Sequence, residues 1–253
     1  MKITRAIVRK PTRNAGAGLT SANLGAPDVE RMLAQHAGYV RILESLGVEI
    51  TVLDGDEAYP DGCFVEDTAI VTPEVAVVTR PGAPSRRGEV DVIEEVLAEH
   101  RPIERIVAPG TVDGGDVLVL EDCALIGISA RTNEEGAAQL GEILQSRGLR
   151  CLRLDAGEGL HFKSSVNTLG GDRLIVTDGF SRCNALSGFE RVVVPADESY
   201  AGNTLWLNER AIVPKGFPKT RALIEELDVE TVETDVSEFR KMDGGLTCLS
   251  LRL

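Results

Sequence analysis

Residues 68–110, TAIVTPEVAVVTRPGAPSRRGEVDVIEEVLAEHRPIERIVAPG, show the order of structural elements on which the predicted fold is built. Two runs rich in β-branched residues flank a Pro-Glu turn, which predicts an antiparallel pair of strands. A basic loop follows, and apolar residues then recur at helical spacing. These apolar positions are Val92, Ile93, Val96 and Leu97. A short β-branched stretch ends the segment, so the predicted unit is strand, turn, strand, loop, helix and strand.

The same unit recurs along the chain. A second copy covers residues 116–154 and includes a helix that ends at a glycine. A third, degenerate copy runs over residues 165–195, and a fourth covers residues 203–235. The copies follow one another at roughly 40–50 residues, a spacing typical of propellers and repeat arrays. This periodicity predicts an α/β protein built from similar units around a common axis.

A fifth unit is divided between the two ends of the chain. Residues 246–253, LTCLSLRL, would supply strands, and the N-terminal segment would supply another strand. The helix and strand that complete the unit are predicted at residues 29–47 and 48–54. The last strand should therefore lie beside the first and close a ring, which removes exposed sheet edges. Because no Pro/Ser-rich linker divides the sequence, we expect one domain over residues 1–253.

Composition narrows the classes of partner. The 253-residue chain carries a formal net charge of −13, which disfavours nucleic acid and suits attraction of a small cation. No apolar run approaches the roughly 18 residues that cross a bilayer, and the start MKITRAIVRKPTRN predicts a strand rather than a signal peptide. The five cysteines are scattered and lack a CxxC pair, which argues against disulfides and structural zinc. We expect a cytoplasmic protein with neither membrane nor nucleic-acid partners.

Polar residues cluster where each unit begins. They are Glu66, Asp67, Asp113, Asp116, His161, Asn203 and Cys248. In a closed ring with approximate fivefold symmetry, equivalent starting points would converge on the central axis. Turn chemistry can account for the acidic residues, and Asn203 is expected to cap a strand. It accounts for neither His161 nor Cys248.

Two of these residues have the chemistry of a catalytic pair. His161 follows a glycine-rich loop, whereas His36 is expected on a helix surface and His100 at a helix end. Cys248 follows Gly-Gly, which lets the backbone approach a ligand closely. Cys63 lies near acidic residues, which raise the pKa of a thiol and make it a poor nucleophile. A cysteine, a histidine and an orienting carboxylate together form a nucleophile with its acid–base partner.

Seven ordered blocks give the chain a specific resemblance to a known family. They are PDGCFVEDTAIV (60–71), TRPGAPSRRGEV (79–90), TVDGGDVLVL (111–120), SARTNEEGA (129–137), GLHFKS (159–164), ESYAGNTLWLNER (198–210) and KMDGGLTCLSLRL (241–253). Over essentially its whole length the chain resembles the dimethylarginine dimethylaminohydrolase family of guanidino-group-modifying enzymes. The resemblance implies the pentein fold, a five-bladed α/β-propeller whose pseudo-fivefold repeats close on a central active site. It also implies catalysis without a metal or organic cofactor.

The resemblance implies catalytic roles for three residues. Cys248 would attack the guanidinium carbon, and His161 would protonate the departing amine and later activate water. Asp113 would orient His161, with Asp116, three residues later, as an alternative. Nothing adjacent to Cys248 supplies a positive charge, so we expect its thiol to be protonated until a bound guanidinium lowers its pKa.

The implied substrate contacts are the side chains of Asp61, Glu66, Asp67, Arg86 and Arg131 and the backbone carbonyls of Leu19 and Met242. Asp67 would hold the guanidinium, with Glu66 beside it, and Asp61 would hold the α-ammonium. Arg86 and Arg131 would bind the α-carboxylate, since arginine forks suit carboxylates. On residue type alone, Arg86 could equally lie in a solvated basic loop, and Arg131 at a helix start.

The implied reaction is hydrolysis of Nω,Nω-dimethyl-L-arginine and Nω-monomethyl-L-arginine to L-citrulline and dimethylamine or methylamine, through a covalent cysteine–thiouronium intermediate. Arginine deiminases clamp an unsubstituted guanidinium with two carboxylates and carry an additional domain, so this compact chain is more similar to the methylarginine branch. A deiminase, or a hydrolase of another N-substituted arginine, stays open. So does a non-catalytic pentein that binds a macromolecular surface, although such a protein needs neither Cys248 nor His161. The resemblance also leaves a homodimer open.

Overall fold

The computed structural model describes residues 2–157 and 159–253. The strands are β1 (Arg5–Arg9), β2 (Glu49–Leu53), β3 (Ala69–Val71), β4 (Ala76–Val78), β5 (Ile103–Arg105), β6 (Val117–Val119), β7 (Cys123–Ile128), β8 (Arg150–Asp155), β9 (Val166–Thr168), β10 (Arg173–Val176), β11 (Glu190–Val193), β12 (Leu205–Leu207), β13 (Arg210–Pro214), β14 (Glu230–Thr234) and β15 (Leu251–Arg252). The α-helices are α1 (Val29–Ser45), α2 (Val90–Ala98), α3 (Glu134–Ser146), α4 (Pro218–Glu225) and α5 (Ser237–Arg240).

The strands form five three-stranded sheets, β15-β1-β2, β3-β4-β5, β6-β7-β8, β9-β10-β11 and β12-β13-β14. Every sheet has the same pairing: the first strand pairs antiparallel with the middle strand, and the middle strand pairs parallel with the third. In β3-β4-β5, for example, Ile70 lies opposite Val77, which lies opposite Glu104. The predicted repeat is confirmed, and the fold is the α/β pentein propeller.

The divided fifth unit is also confirmed. β15 pairs antiparallel with β1, with Ile7 opposite Leu251, and β1 pairs parallel with β2. The backbone N–H of Leu253 donates to the carbonyl of Arg5 at 2.8 Å, and the N–H of Arg5 donates back to Leu253 at 3.2 Å. The two ends of the chain therefore complete one sheet and close the ring.

Among the described residues, the buried apolar side chains form five clusters, which lie between neighbouring sheets rather than inside one sheet. One cluster joins Ile7 and Leu251 of the closing sheet to Ala76 of β4 and to Ile93 and Leu97 of α2. Each unit thus buries its apolar face only when its neighbour is present, which is the behaviour expected of a repeat architecture. In the degenerate third unit, two 3-10 turns at residues 178–180 and 184–186 stand where the other units have an α-helix.

One sequence expectation about α1 is wrong. His36 was expected on the helix surface, but its side chain is buried on the same face as Met32, Tyr39 and Leu43. These positions recur at the helical period, so His36 belongs to the stripe that packs on the core. Its Nε2 is buried without a hydrogen-bond partner among the described residues.

In every sheet, a 3-10 turn precedes the strand that pairs antiparallel with the middle strand. These five leading turns cover residues 65–68, 114–116, 162–164, 196–202 and 247–249. The 65–68 turn contacts the 114–116 and 247–249 turns, and the 162–164 turn contacts the 114–116 and 196–202 turns, which brings the leading turns together around the axis. Cys248 therefore lies in a leading turn, and the expectation that it sits inside the final strand is wrong.

Within residues 2–157 and 159–253, no helix combines the length and the apolarity needed to cross a membrane. All five cysteines lie in the described ranges, and each is a free thiol.

Candidate active site

One pocket gathers most of the predicted site residues. Those that line it are Leu19, Asp61, Asp67, Arg86, Arg131, His161, Met242 and Cys248. Phe64, Leu160, Asp243 and Gly244 complete the wall. Asp113 lies behind the ring of His161, and Glu66 lines a separate cavity. The leading turns thus converge as the sequence predicts. The side chains of Glu66 and Arg86 differ from the prediction, because both are bound to other groups of the protein.

The imidazole of His161 is held by Asp113. Its Nε2 lies 3.0 Å from Oδ2 of Asp113, and both side chains are buried. The other carboxylate oxygen, Oδ1, accepts a hydrogen bond from the backbone N–H of Gly82 at 2.8 Å. A carboxylate fixed in this way sets the orientation of the ring and favours its protonated form.

Asp116, the alternative orienting residue, is engaged elsewhere. Its Oδ1 accepts from the backbone N–H of Phe162 at 2.9 Å, and its Oδ2 accepts from the hydroxyls of Ser129 and Thr132 at 2.6 and 2.7 Å. Asp116 therefore holds the backbone of the 162–164 turn in place, whereas Asp113 contacts the ring.

His161 is a cation at neutral pH. Burial disfavours the charged ring, but Asp67, Asp113 and Asp116 outweigh it and raise the pKa of His161 to about 9. Burial likewise acts against ionised Asp113, but the contact with His161 holds the pKa of this carboxyl below its ordinary value. The pair is thus an imidazolium beside a carboxylate, able to give up a proton.

Gly115 permits the close packing around this ring. Its N–H donates to Oδ1 of Asp67 at 2.9 Å. A Cβ at this position would lie 2.5 Å from Nδ1 of His161 and 2.8 Å from Oδ1 of Asp67. Any side chain here would displace the acid–base residue or the carboxylate beside it, so the Gly-Gly of TVDGGDVLVL has a steric function.

The thiol of Cys248 is protonated at neutral pH. Burial, followed by the negative charges of Glu66 and Asp67, raises the pKa of Cys248 to about 12. The backbone N–H of Gly245 donates to Sγ at 3.4 Å, and Lys163 also favours the thiolate, but these effects are smaller. This direction agrees with the expected protonated thiol, and the nearby carboxylates add to the effect of burial.

Arg86 lines the pocket, but its donors are engaged within the protein. Its Nη1 lies 2.5 Å from Oδ2 of Asp67, and Nε and Nη2 donate to the carboxylate of Glu89 at 2.7 to 3.1 Å. Nη2 also donates to the carbonyl of Phe64 at 3.0 Å. The solvated basic loop is therefore wrong for this residue, which instead neutralises two buried carboxylates. A substrate carboxylate would have to displace one of these contacts.

Arg131 is the more accessible cation of the two. Its side chain is 18% exposed, and its one ion-pair contact among the described residues is with Oδ2 of Asp113 at 4.0 Å. A guanidinium that lines a pocket with so loose a contact can accept a carboxylate without losing a buried partner. The structure therefore favours Arg131 over Arg86 as the direct carboxylate ligand.

Asp61 and Leu19 lie together at the rim. Both carboxylate oxygens of Asp61 accept from the backbone N–H of Leu19 at 3.1 Å. Burial raises the pKa of Asp61, so a cation brought to this carboxylate would be stabilised. Among the described residues, the carbonyls of Leu19 and Met242 accept no hydrogen bond, which leaves them available to an ammonium group.

Glu66 requires a correction. The sequence places it beside Asp67 in the substrate pocket, but its carboxylate contacts Lys163 at 2.7 Å, Arg252 at 2.8 Å and the hydroxyl of Thr247 at 2.7 Å. These groups line a separate cavity of about 700 Å³ on the other side of the leading turns. A buried carboxylate needs such partners, and they draw Glu66 away from the substrate side.

Sequence reasoning missed the role of Asn203. It was expected to cap a strand, but its buried amide accepts from the backbone N–H of Thr247 and donates to Thr247 Oγ1. The only signal for this role is positional, because Asn203 begins the fourth unit as Asp67 and His161 begin others. The pairing of Glu89 with Arg86 was also missed.

Asp67, Asp113 and His161 could in principle hold a metal ion, since one ligand atom from each lies within 4.8 Å of the others. Each group already has a partner: Arg86 for Asp67, and the two members of the Asp113–His161 pair for one another. A protonated imidazole is also a poor metal ligand. These contacts account for the cluster as a network of ion pairs.

Comparisons with known proteins point to one family. A model of the family described as N,N dimethylarginine dimethylhydrolase, eukaryotic, matches residues 26–193. The N(G),N(G)-dimethylarginine dimethylaminohydrolase of Pseudomonas aeruginosa is 44% identical over 248 residues, covering 97% of this chain and 98% of that relative. The protein of the same name from Streptomyces coelicolor is 35% identical over 255 residues, covering 100% and 98%.

Solved structures give the same result. The Pseudomonas aeruginosa enzyme, as a cysteine-to-serine mutant complexed with citrulline, superposes with a TM-score of 0.98 at 43% identity over the whole of both chains. The N-terminal domain of ArgZ, a cyanobacterial arginine dihydrolase, has a TM-score of 0.86 at 17% identity, covering 98% of this chain and 97% of that domain, and shows the fold alone. By sequence and by structure, this chain belongs to the dimethylarginine dimethylaminohydrolase family.

Proposed function

We propose that this protein hydrolyses Nω,Nω-dimethyl-L-arginine and Nω-monomethyl-L-arginine to L-citrulline and dimethylamine or methylamine. The observation that carries the proposal is the presence of Cys248, His161 and Asp67 in one pocket with Arg131 and Asp61. A cysteine nucleophile, an imidazolium and a carboxylate for a cation are the groups that hydrolysis of a substituted guanidinium requires. The remaining charged groups fit the other end of an amino acid.

Each charge of the substrate would meet an opposite charge. Arg131 would bind the α-carboxylate, and Asp61 with the carbonyls of Leu19 and Met242 would bind the α-ammonium. Asp67 would hold the guanidinium, and Arg86 would join the carboxylate set only when its Nη1 leaves Asp67. Matching each charge avoids leaving a buried ion unpaired, because removing one partner of a buried ion pair by mutation costs about 3–5 kcal/mol.

The substrate would activate its own nucleophile. Because His161 is already protonated, it cannot accept the proton of Cys248. The arriving guanidinium places a positive charge near Sγ and lowers the pKa of the thiol, whose proton leaves to solvent. The thiolate then attacks the guanidinium carbon and forms a carbon–sulfur bond, giving a tetrahedral intermediate.

His161 would then act as acid and afterwards as base. Its proton passes to the methylated nitrogen as the carbon–nitrogen bond breaks, and the amine departs. The thiouronium attached to Cys248 remains. Neutral His161 takes a proton from water while the water oxygen attacks the same carbon. Cleavage of the carbon–sulfur bond releases citrulline and the Cys248 thiolate, which is protonated again.

The position of Glu66 supports methylated substrates over arginine. A second carboxylate beside Asp67 would clamp both terminal nitrogens of an unsubstituted guanidinium. Because Glu66 is bound to Lys163 and Arg252 instead, the pocket leaves one side of the guanidinium without a carboxylate, and methyl groups can be accommodated there. This contact favours the proposed reaction over an arginine deiminase.

The compartment, domain and partner predictions stay part of this proposal. Five free thiols are consistent with a reducing cytoplasm. The pairing of β1 with β15 supports a single catalytic domain over residues 1–253. The partner we propose is a methylated arginine, and a homodimer stays a prediction.

The test is citrulline formation from dimethylarginine, monomethylarginine and arginine, measured side by side with the released amine. We expect dimethylamine and methylamine from the first two and little ammonia from arginine. Cys248→Ser should abolish turnover without loss of fold, because the hydroxyl is a far weaker nucleophile at neutral pH. Ammonia release from arginine as the main reaction would establish a deiminase instead. Activity in Cys248→Ser above about a tenth of wild type would contradict a covalent mechanism.

A further inference from the structure

The side chain of Asn203 joins the two leading turns that carry the catalytic pair. Its Nδ2 donates to the carbonyl of Lys163 at 2.9 Å, in the turn that begins after His161. The same Nδ2 donates to Oγ1 of Thr247 at 3.1 Å, and its Oδ1 accepts from the N–H of Thr247 at 3.0 Å. Reversing the amide would place its oxygen against the Lys163 carbonyl oxygen, so these partners fix its orientation.

The hydroxyl of Thr247 extends this connection to a third leading turn. It accepts from Asn203 and donates to Oε2 of Glu66 at 2.7 Å. Asn203, Thr247 and Glu66 are all buried. Loss of one of these hydrogen bonds would leave a buried polar group without a partner, which costs free energy. The residue directly before the nucleophile is thereby bonded through its N–H and through its side chain.

Asn203 also packs on the glycine that faces the sulfur. A Cβ added to Gly245 would lie 2.4 Å from Oδ1 of Asn203. The N–H of Gly245 donates to Sγ of Cys248 at 3.4 Å. The amide of Asn203 therefore contacts the 245–248 segment at two points, one of which sets the group that donates to the thiol.

We infer that Asn203 is a positioning residue that fixes the separation between Cys248 and His161. It touches neither reacting group, but it holds the backbone of Thr247, next to Cys248, and of Lys163, two residues after His161. The nucleophile must meet the guanidinium carbon while His161 meets the departing nitrogen, and a displacement of about 1 Å can cost on the order of 100-fold in rate. The inference rests on the proposed function only for its kinetic consequence.

The experiment compares Asn203→Ala with Asn208→Ala in the full chain. Asn208 is a matched control, since its amide also joins two backbone segments, at Ile3 and Leu46, but it lies outside the pocket. Thermal unfolding, single-turnover adduct formation on Cys248 with dimethylarginine, and alkylation of Cys248 by iodoacetamide without substrate are measured for each variant.

We expect Asn203→Ala to slow adduct formation by on the order of 10- to 100-fold. Substrate affinity, measured in a Cys248→Ser background, should change much less. Alkylation should become faster, because a loosened turn exposes the half-buried thiol. Asn208→Ala should lower thermal stability and leave both rates unchanged.

Thr247→Val and Thr247→Ser provide a second comparison if Asn203→Ala does not fold. The valine removes the hydroxyl at similar volume, and the serine keeps it, so only Thr247→Val should slow adduct formation. Unchanged adduct formation and alkylation in Asn203→Ala, or in Thr247→Val, would overturn the inference. So would a loss of substrate affinity as large as the loss of rate. A wild-type protein that releases no citrulline from methylarginines would contradict the proposed function instead, and the alkylation comparison would still decide the role of Asn203.

Discussion

His161 and Asp67 lie side by side in the pocket, with Nδ1 of the ring 3.8 Å from Oδ1 of the carboxylate. The opposite ring nitrogen, Nε2, is occupied by Asp113. Nδ1 is therefore the nitrogen that can exchange a proton with a substrate held at Asp67. The same carboxylate that would bind the guanidinium also keeps the acid protonated, so substrate binding and proton supply are linked at one residue.

His161→Gly should slow the breakdown of the covalent adduct more than its formation. The thiolate formed beside a bound guanidinium can still attack, but water then lacks its base. Mass spectrometry of quenched enzyme should find a substrate-derived adduct on Cys248. His100→Ala, a control outside the pocket, should turn over without accumulating adduct. An adduct on a different residue, or none at all while turnover persists, would contradict the assignment.

The thiol of Cys248 should ionise only with a cation beside it. The pKa of about 12 in the free protein predicts that alkylation by neutral iodoacetamide rises with pH through neutrality and beyond. A non-reactive cationic substrate analogue should move this profile to lower pH. A neutral analogue of similar size is the control for simple blocking of the reagent, and it should slow alkylation without moving the profile. A thiol fully reactive below pH 7 and unchanged by the cationic analogue would show a standing thiolate–imidazolium pair instead.

Arg131→Ala should weaken binding of methylated arginines by about 2–5 kcal/mol, as expected when one member of a buried charge pair is removed. Ligands without a carboxylate, such as simple alkylguanidines, should lose far less affinity. Arg87→Ala is the control, because Arg87 belongs to the same basic segment as Arg86 but donates to the carbonyl of Pro81 outside the pocket. Equal losses for both ligand types would give Arg131 a structural role.

His36 should make the fold sensitive to acid. Burial, with a smaller effect of Lys10, lowers the pKa of His36 to about 4 from an ordinary 6.5. The unfolded chain therefore binds this proton more readily, so stability is fully present above pH 6.5 and is lost as pH falls toward 4. The loss attributable to His36 is roughly 3 kcal/mol.

The measurement is denaturant unfolding across that pH window for wild type and His36→Gln. Other groups titrate there too, so the quantity of interest is the difference between the two proteins, which should shrink as pH falls. His161, whose pKa is raised, contributes the opposite slope, with stability present below pH 6.5 and lost as pH rises toward 9. A difference that stays constant with pH would contradict the role given to His36.

Much of this architecture was predictable because it follows from the local spacing of apolar, β-branched and turn-forming residues. The strand–turn–strand–helix–strand order and the spacing of its copies follow from periodicity, and the division of the fifth unit follows from what remains at the two ends. The conformation at Cys248 was not predictable in this way. Its β-rich surroundings favour a strand, but the turn is held by Asn203 and Glu66, which lie 44 and 181 residues away from Thr247 in sequence.

The protein partners of Arg86 and Glu66 were also not predicted. A carboxylate or a guanidinium can be assigned to a substrate by its type, but the decision between substrate and protein partners depends on which other charges the fold brings close. Glu89 engages Arg86, and Lys163 with Arg252 engages Glu66. Lys163 and Arg252 lie far from Glu66 in sequence, so those pairings have no local signature, whereas Glu89 follows Arg86 by three residues and their pairing is local. The contact of Asp113 with His161 agrees with its orienting role, which stays a prediction.

The closure of the ring by β1 and β15 has a consequence for how freely the chain could be reordered. Because Arg5 and Leu253 exchange backbone hydrogen bonds, a peptide link could join these ends, and the chain could be opened instead at exposed Gly188. Every leading turn would remain covalently intact in such a circular permutant, although Cys248 would then lie well inside the sequence. The catalytic centre thus depends on the order of the five units around the ring and not on where the chain begins. The position of the nucleophile near one terminus is incidental to the chemistry.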